Sequence, residues 1–203
     1  MHHYSLESLD KMERFFRANF INALTGFKSP VLIGTVNQQG KENLAIFNNI
    51  VHLGSNPALI GFVNRPREAA PHTLANIEAT GVYTMNLVTD SFFRQAHQTS
   101  AKYPEGVSEF EQTGLHSEKC GNCPAPFVAE SPVKFALKLK EVIPIRFNNT
   151  YFVIGAVADI YLEQALLLPD GCLDFGKAEI IASLGINSYH PVGEGTKLAY
   201  AKP

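Results

Sequence analysis

The sequence predicts a mainly β fold, an antiparallel barrel carrying short helices. Runs rich in β-branched residues recur along it, notably Val31 to Val36, Val133 to Ile143 and Tyr151 to Leu162. Turn-forming clusters separate them, and the alternation of strand with long helix that a Rossmann sheet requires is missing. The 203 residues suit one domain spanning 1–203, and 45% hydrophobic with 18% charged residues is the composition of a chain that buries a core.

The elements follow in order. Ser8 to Ala23 places Leu9, Met12, Phe15, Phe16, Phe20 and Ala23 at helical spacing, so an amphipathic helix is expected there, stopped by Gly26 and Pro30. Val31 to Val36 is a strand and Asn37-Gln38-Gln39-Gly40 a turn. Leu44 to Leu53 is a second strand, Ser55-Asn56-Pro57 a second turn, and Ala58 to Val63 a third strand closed by Arg65-Pro66. Two successive hairpins imply a meander. His72 to Ala79 is expected as a short helix with Thr73 as N-cap and Gly81 as its stop. Val82 to Val88 returns to strand, and Asp90 to Ala101 is expected as helix. Residues 103 to 130 are the least regular part; a segment of that length is usually a lid or a subunit contact. Two long strands follow, joined near Asn148-Asn149. Lys177 to Leu184 is expected as a short helix, before a polar tail beyond Tyr189.

Composition removes several classes of function. A net charge of −2 without a Lys/Arg block argues against a nucleic-acid surface or a polybasic membrane patch. No apolar stretch approaches the roughly 20 residues that span a bilayer. The N-terminus lacks the pattern of a signal peptide, and three cysteines are an odd number, so a reducing, cytoplasmic setting is expected. There is no G-x-G-x-x-G after a strand, no Walker loop, no H-E-x-x-H and no G-x-S-x-G. Any nucleotide cofactor must be held by something other than the dinucleotide fold.

Three segments can carry chemistry. In the first, Asn48 and Asn49 follow the apolar centre of a strand and Phe47; their amides can meet the edge of a flat heterocycle, or they can mark a bulge or a sheet end. In the second, Arg65 stands just past a strand and before a helix opened by Thr73. A guanidinium, a hydroxyl and free backbone N–H groups together suit a phosphate, although a solvated arginine and an ordinary cap would look the same. In the third, Thr99, Ser100, Ala101 and Lys102 place hydroxyls beside a cation. They suit a phosphate or ribityl chain, or a polar helix end whose lysine offsets the dipole.

The order of these segments resembles a known family. Gly40 to Asn48 (G-x-x-N-L-A-x-F-N), Ser55 to Leu59 (S-N-P-A-L) and His72 to Asn86 (H-T-L-A-N-I-x-x-T-G-V-Y-T-M-N) resemble the flavin-reductase-like, FMN-binding split β-barrel family. Tyr103 to Leu115 is similar to the segment that follows in its flavoprotein-oxygenase branch. The resemblance implies an FMN-binding homodimer with flavin near the interface, acting on a small-molecule substrate with NADH or NADPH as transient donor. By position it implies Phe47, Asn48 and Asn49 along the ring, Arg65 and Thr73 on the phosphate, and Thr99 to Lys102 closing over the ribityl-phosphate end. Two departures stand out: many members carry Ser where Asn48 stands, and Arg-Pro where Ser29-Pro30 stands. An oxidoreductase is the function implied; a non-catalytic flavin binder, or a barrel that takes another ligand, is the alternative.

Cys120-Gly121-Asn122-Cys123, with His116 upstream and Cys172 far downstream, could be assembled into a zinc site or a redox dithiol. The second close ligand pair of a structural zinc site is absent, as is the βαβ context of a thioredoxin-like dithiol. Incidental thiols are therefore expected, with no metal. A bound flavin would carry the reaction itself, so no catalytic side chain is nominated.

Overall fold

The computed structural model describes residues 1–104 and 107–202. Glu105 and Gly106, within the irregular stretch expected at 103 to 130, lie outside the described residues. The chain opens with α1 (Leu6–Asp10) and α2 (Arg14–Ala23) rather than with one helix. The break has a local cause: the Glu13 carboxylate accepts from the N–H groups of Phe15 and Phe16 at 2.8 and 2.9 Å and starts a new helix there. No residue of either helix is buried, so the expected packing of an amphipathic face is not observed. Phe15 and Phe16 stay exposed.

The body is a seven-stranded antiparallel sheet of β1 (Val31–Val36), β2 (Glu42–Phe47), β3 (Ile50–Ser55), β4 (Ala58–Asn64), β5 (Val82–Leu87), β8 (Val133–Ile145) and β9 (Thr150–Leu162), in the order β2-β1-β5-β8-β9-β4-β3. The expected single strand from Leu44 to Leu53 is two strands, broken at Asn48-Asn49. Phe47 pairs with Val31 on one edge, whereas Ile50 pairs with Phe62 on the other. The two hairpins are therefore not a meander, because β2 and β3 sit at opposite edges. Three residue steps from Phe47 to Ile50 reach at most about 11 Å. A flat sheet would separate its outer strands by roughly 29 Å, six spacings of about 4.8 Å. The sheet must roll until its edges meet at Asn48-Asn49. No β2–β3 ladder joins them among the described residues, so the roll is not a closed barrel.

Strand β1 shows why the sheet is covered on both faces. Val31 and Ile33 enter a cluster with Phe62, Leu74, Tyr83 and Leu137, while Leu32 enters a second with Leu44, Val88 and Phe92. All six of its residues are buried, which explains its near-continuous apolar sequence. The first cluster is capped by α3 (Pro71–Thr80), which buries Thr73, Leu74 and Ile77. Gly81, at φ 73°, ends that helix by donating its N–H to the Ile77 carbonyl.

Other expectations need correction. Thr73 is not an N-cap: Pro71 takes the first helical position, which its fixed φ suits, and Thr73 is buried in the first turn. Helix α4 is confined to Phe93–Gln98, since the N–H groups of Thr99, Ser100 and Ala101 bond three residues back and tighten the end. The stretch after Tyr103 is not structureless; it holds α5 (Glu109–Thr113), β6 (Ser117–Glu118) and β7 (Phe127–Val128). Lys177 to Leu184 is no helix. Ile181–Leu184 forms β10, paired with β11 (Ser188–Pro191) in a small hairpin whose Ser183 bridges back to Lys28. Its alternating burial is that of a strand.

Inside the roll, the Tyr83 hydroxyl is buried with no hydrogen-bond partner among the described residues and sits against Gly155, where a Cβ would collide with it. Burial pushes its ionisation well above the usual phenol range. The folded state thus keeps a proton that the unfolded chain, with a pKa of about 10, gives up. That stability is complete below about pH 10 and is lost as pH rises beyond it. Tyr83→Phe is expected to change stability at neutral pH by less than about 1 kcal/mol, since the hydroxyl is unpaired, and to reduce the alkaline loss. Urea midpoints at neutral and alkaline pH check both parts.

Candidate functional site

The sheet edges that meet at Asn48-Asn49 border a cavity of about 700 Å³, within the usual range for small-ligand sites. The end of β2, the end of β4 with the segment leading into α3, the end of α4, and the C-terminal hairpin all contribute walls. Every site residue expected from the sequence lines it: Phe47, Asn48 and Asn49; Arg65; Thr73; Thr99, Ser100, Ala101 and Lys102.

Each wall has a local cause. Phe47 meets Phe62 edge to face, ring centroids 5.0 Å apart, which anchors its ring against the core. Asn48 donates from Nδ2 to the Gly185 carbonyl at 3.4 Å, which ties β2 to the C-terminal hairpin, and its Oδ1 has no partner among the described residues. The Asn49 carbonyl accepts from Val63 N–H, and its side chain is exposed. The break in the strand is thus both a sheet end and a cavity wall.

On the opposite side, Thr73 Oγ1 accepts from Asn43 Nδ2 at 3.2 Å, and the same amide reaches Thr35 Oγ1 at 3.3 Å. Thr73 therefore keeps its hydroxyl proton for a ligand, beside first-turn N–H groups of α3 that have no intrahelical acceptor. Arg65 and Lys102 are exposed, and among the described residues neither side chain makes a hydrogen bond or ion pair; the Arg65 carbonyl accepts from Asn64 Nδ2 at 2.8 Å. The neighbouring Arg67 is differently employed. It makes a two-pronged bond to Glu78 at 2.7 and 2.6 Å and lies over the Tyr151 ring at 4.7 Å, pinning the segment after Arg65 to α3 and β9.

The end of α4 is more selective than its composition promised. Thr99 Oγ1 donates to the Ala96 carbonyl, and the N–H groups of Thr99, Ser100 and Ala101 are all used. The donors left there are the Ser100 hydroxyl and Lys102. Glu68 and Glu109 also border the cavity, the latter accepting from Leu44 N–H at 3.1 Å.

Sequence reasoning missed His97, Tyr189 and Ile186, which also line the cavity. His97 had a signal, lying four residues before Ala101 and so on the same helical face. Tyr189 had none; it reaches His97 from 92 positions away, Nδ1 to Oη 2.9 Å. In the Lys28-Ser29 turn, Lys28 Nζ is tied to the Asn22 carbonyl and Oδ1, each at 2.9 Å, and Ser29 Oγ is buried without a partner among the described residues.

The cysteines stand apart from this cavity. Cys120, Cys123 and Cys172 are free thiols, and burial pushes the first two above the ordinary thiol range, which disfavours the thiolate. Among the described residues no three His, Cys, Asp or Glu side chains gather as a metal site.

Likeness to known proteins places this rolled antiparallel sheet, with its amide-edged, cation-flanked cavity, among the flavin-dependent oxidoreductases. A family model, the flavin reductase like domain, matches residues 24–173, and the chain belongs to that family. A putative flavin reductase with split barrel domain from Shewanella frigidimarina NCIMB 400 is 43% identical, with a TM-score of 0.95 over 99% of this chain and 100% of that one. Nitrilotriacetate monooxygenase component B from Bacillus cereus shares the fold, with a TM-score of 0.85 at 18% identity over 98% of each chain. So does an FMN-binding protein from Thermus thermophilus, solved with bound 1-cyclohex-2-enone, with a TM-score of 0.72 at 17% identity over 85% of this chain and 90% of that one.

Proposed function

We propose that this chain binds FMN in the cavity of a split β-barrel and uses NADH or NADPH to reduce it, as a flavin reductase or a flavoprotein-oxygenase-like enzyme. The observation that carries this is convergence: the three separate segments singled out in the sequence line one cavity.

The residues present fit the group. Arg65 and Lys102 offer two uncommitted cations and Thr73 and Ser100 two hydroxyls, which suits a phosphate with charge near −2. Phe47 supplies an apolar wall, and Asn48 Oδ1 with the Asn49 amide supplies in-plane hydrogen bonding for a heterocycle edge. When bound, the flavin supplies two-electron chemistry between a nicotinamide and an acceptor. The protein's share is to fix the ring against Phe47, hold the phosphate and limit water.

A homodimer with the flavin near its interface fits the apolar side chains left open on the sheet: Val51 and Leu53 on edge strand β3, and Ile160 on β9. A cytoplasmic setting fits the free cysteines. No helix among the described residues is long and apolar enough to cross a membrane.

The test is anaerobic. Protein loaded with FMN is mixed with NADH or with NADPH, and bleaching of the flavin absorption by at least one is expected. Flavin that stays oxidised with both would defeat the reductase reading. A subtler expectation concerns Arg67→Ala. Its ion pair is substantially exposed, side chains 42% and 36% accessible, so the stability loss should stay below about 1 kcal/mol. The segment carrying Arg65 loses its anchor, however, and FMN affinity should fall several-fold, read by fluorescence titration against the melting temperature.

A further inference from the structure

The His97–Tyr189 pair has no role in the site as described, yet both rings line the cavity. Their hydrogen bond is 2.9 Å long, and the rings meet edge to face at 5.6 Å. Proton counting makes the pair useful. If the phenol donates to Nδ1, the imidazole proton is on Nε2; if Nδ1–H donates to the phenol oxygen, the phenol proton is uncommitted. Either tautomer keeps one donor to spare. Among the described residues neither His97 Nε2 nor a further contact of the Tyr189 hydroxyl has a protein acceptor.

Position along β2 says which part of the cavity this donor serves. Tyr189 and Ile46 pack against the same buried cluster, and the same hairpin receives Asn48 Nδ2 at Gly185. The hairpin therefore flanks the end of β2 at Phe47-Asn48. Phe93, tilted against Tyr189 at 5.4 Å, holds the phenol in place. Tyr189 is half-buried, which strengthens a hydrogen bond made there and keeps the phenol protonated at neutral pH.

We propose that the His97–Tyr189 pair is a donor site for the conjugated carbonyl oxygen of a second flat molecule stacked in the ring-facing half of the cavity. This rests on the flavin reading above. Two sources share that chemistry: the carboxamide of the nicotinamide nucleotide, and an aryl carbonyl compound acting as electron acceptor. The site selects for an in-plane oxygen beside a ring, and a flat hydrocarbon without one gains nothing from it.

Calorimetric titrations of FMN-loaded protein separate the sources. The probes are NAD⁺, which carries the carboxamide but cannot donate hydride, and 4-hydroxybenzaldehyde. Each is titrated into the unaltered protein and into Tyr189→Phe, which keeps every carbon of the side chain, and His97→Leu. Loss of one hydrogen bond predicts a fall of about tenfold in the affinity of at least one probe in at least one variant. The affected probe identifies the ligand class. Unchanged affinities throughout, or no binding of either probe to the unaltered protein, would overturn the proposal. FMN affinity is measured first in all three proteins, so failure of the flavin reading shows separately, as an unaltered protein that does not hold FMN.

Discussion

Arg65→Ala is expected to weaken FMN binding by about ten- to a hundredfold, the span for one charge-assisted hydrogen bond to a phosphate. Arg65 is exposed, so solvent screening favours the lower part of that range. Lys102→Ala should cost a similar or smaller factor, because an ammonium lacks the guanidinium fork. The loss should shrink as salt is raised toward 1 M, where the screening length falls to about 3 Å. It should also shrink below about pH 6, where the phosphate loses its second charge. Riboflavin, which has no phosphate, is the internal control: its affinity should be nearly the same for Arg65→Ala and for the unaltered protein. Fluorescence titrations with both flavins at two salt concentrations check this.

Gly34→Ala is the substitution expected to cost the fold most. Gly34 lies in β1 between β2 and β5, opposite Leu44 and Thr84. A Cβ there would fall on the Pro126 carbonyl oxygen and 2.6 Å from Thr84 Oγ1. Neither can yield cheaply. The carbonyl belongs to backbone leading into β7, and Thr84 Oγ1 already donates to that same oxygen at 2.5 Å. Asn86, which bonds Thr84 Oγ1, Leu32 O and Val128 N–H, would be displaced with them. Overpacking alone costs about 1–3 kcal/mol, and breaking a buried polar network adds about 1–3 more. Chemical denaturation should show a loss near the top of the combined range, or no soluble protein. Gly40→Ala, whose Cβ would meet nothing but whose φ is +82°, should cost about 1–2 kcal/mol through backbone strain alone.

The parts of the fold most legible in sequence are its long or unbroken β-branched runs. Val31–Val36 and the long β8–β9 hairpin announce themselves because β-branched runs of that length have no competing use. Ile181–Leu184 (I-A-S-L) reads equally as helix or strand because so short a mostly apolar stretch satisfies both spacings. Pairing with Ser188–Pro191 and the bridge to Lys28 decided it, and neither is local. Leu44 to Leu53 was read as one strand because Asn48-Asn49 interrupts the pattern by two residues only. Nothing local reveals that those two residues carry the chain from one edge of the sheet to the other.

The site divides the same way. Arg65, Thr73 and Lys102 were legible as residue types suited to an anion, although the role of Thr73 changed. It is a buried first-turn residue bonded to Asn43, and what it offers a ligand is a hydroxyl proton, not a cap. At the end of α4, the composition could not show that Thr99 spends its proton on Ala96. The contact between His97 and Tyr189 depends on a C-terminal hairpin folding back across the cavity, so no spacing rule reaches it.

Binding of FMN is the claim on which the rest depends, and its stoichiometry is the most direct measurement. Purified apoprotein titrated with FMN should quench the flavin fluorescence with a break at one FMN per chain, and denaturation should release the flavin intact. A titration with no saturable quenching, or one equally saturable by a flat aromatic lacking both the flavin edge and the phosphate, would contradict the account.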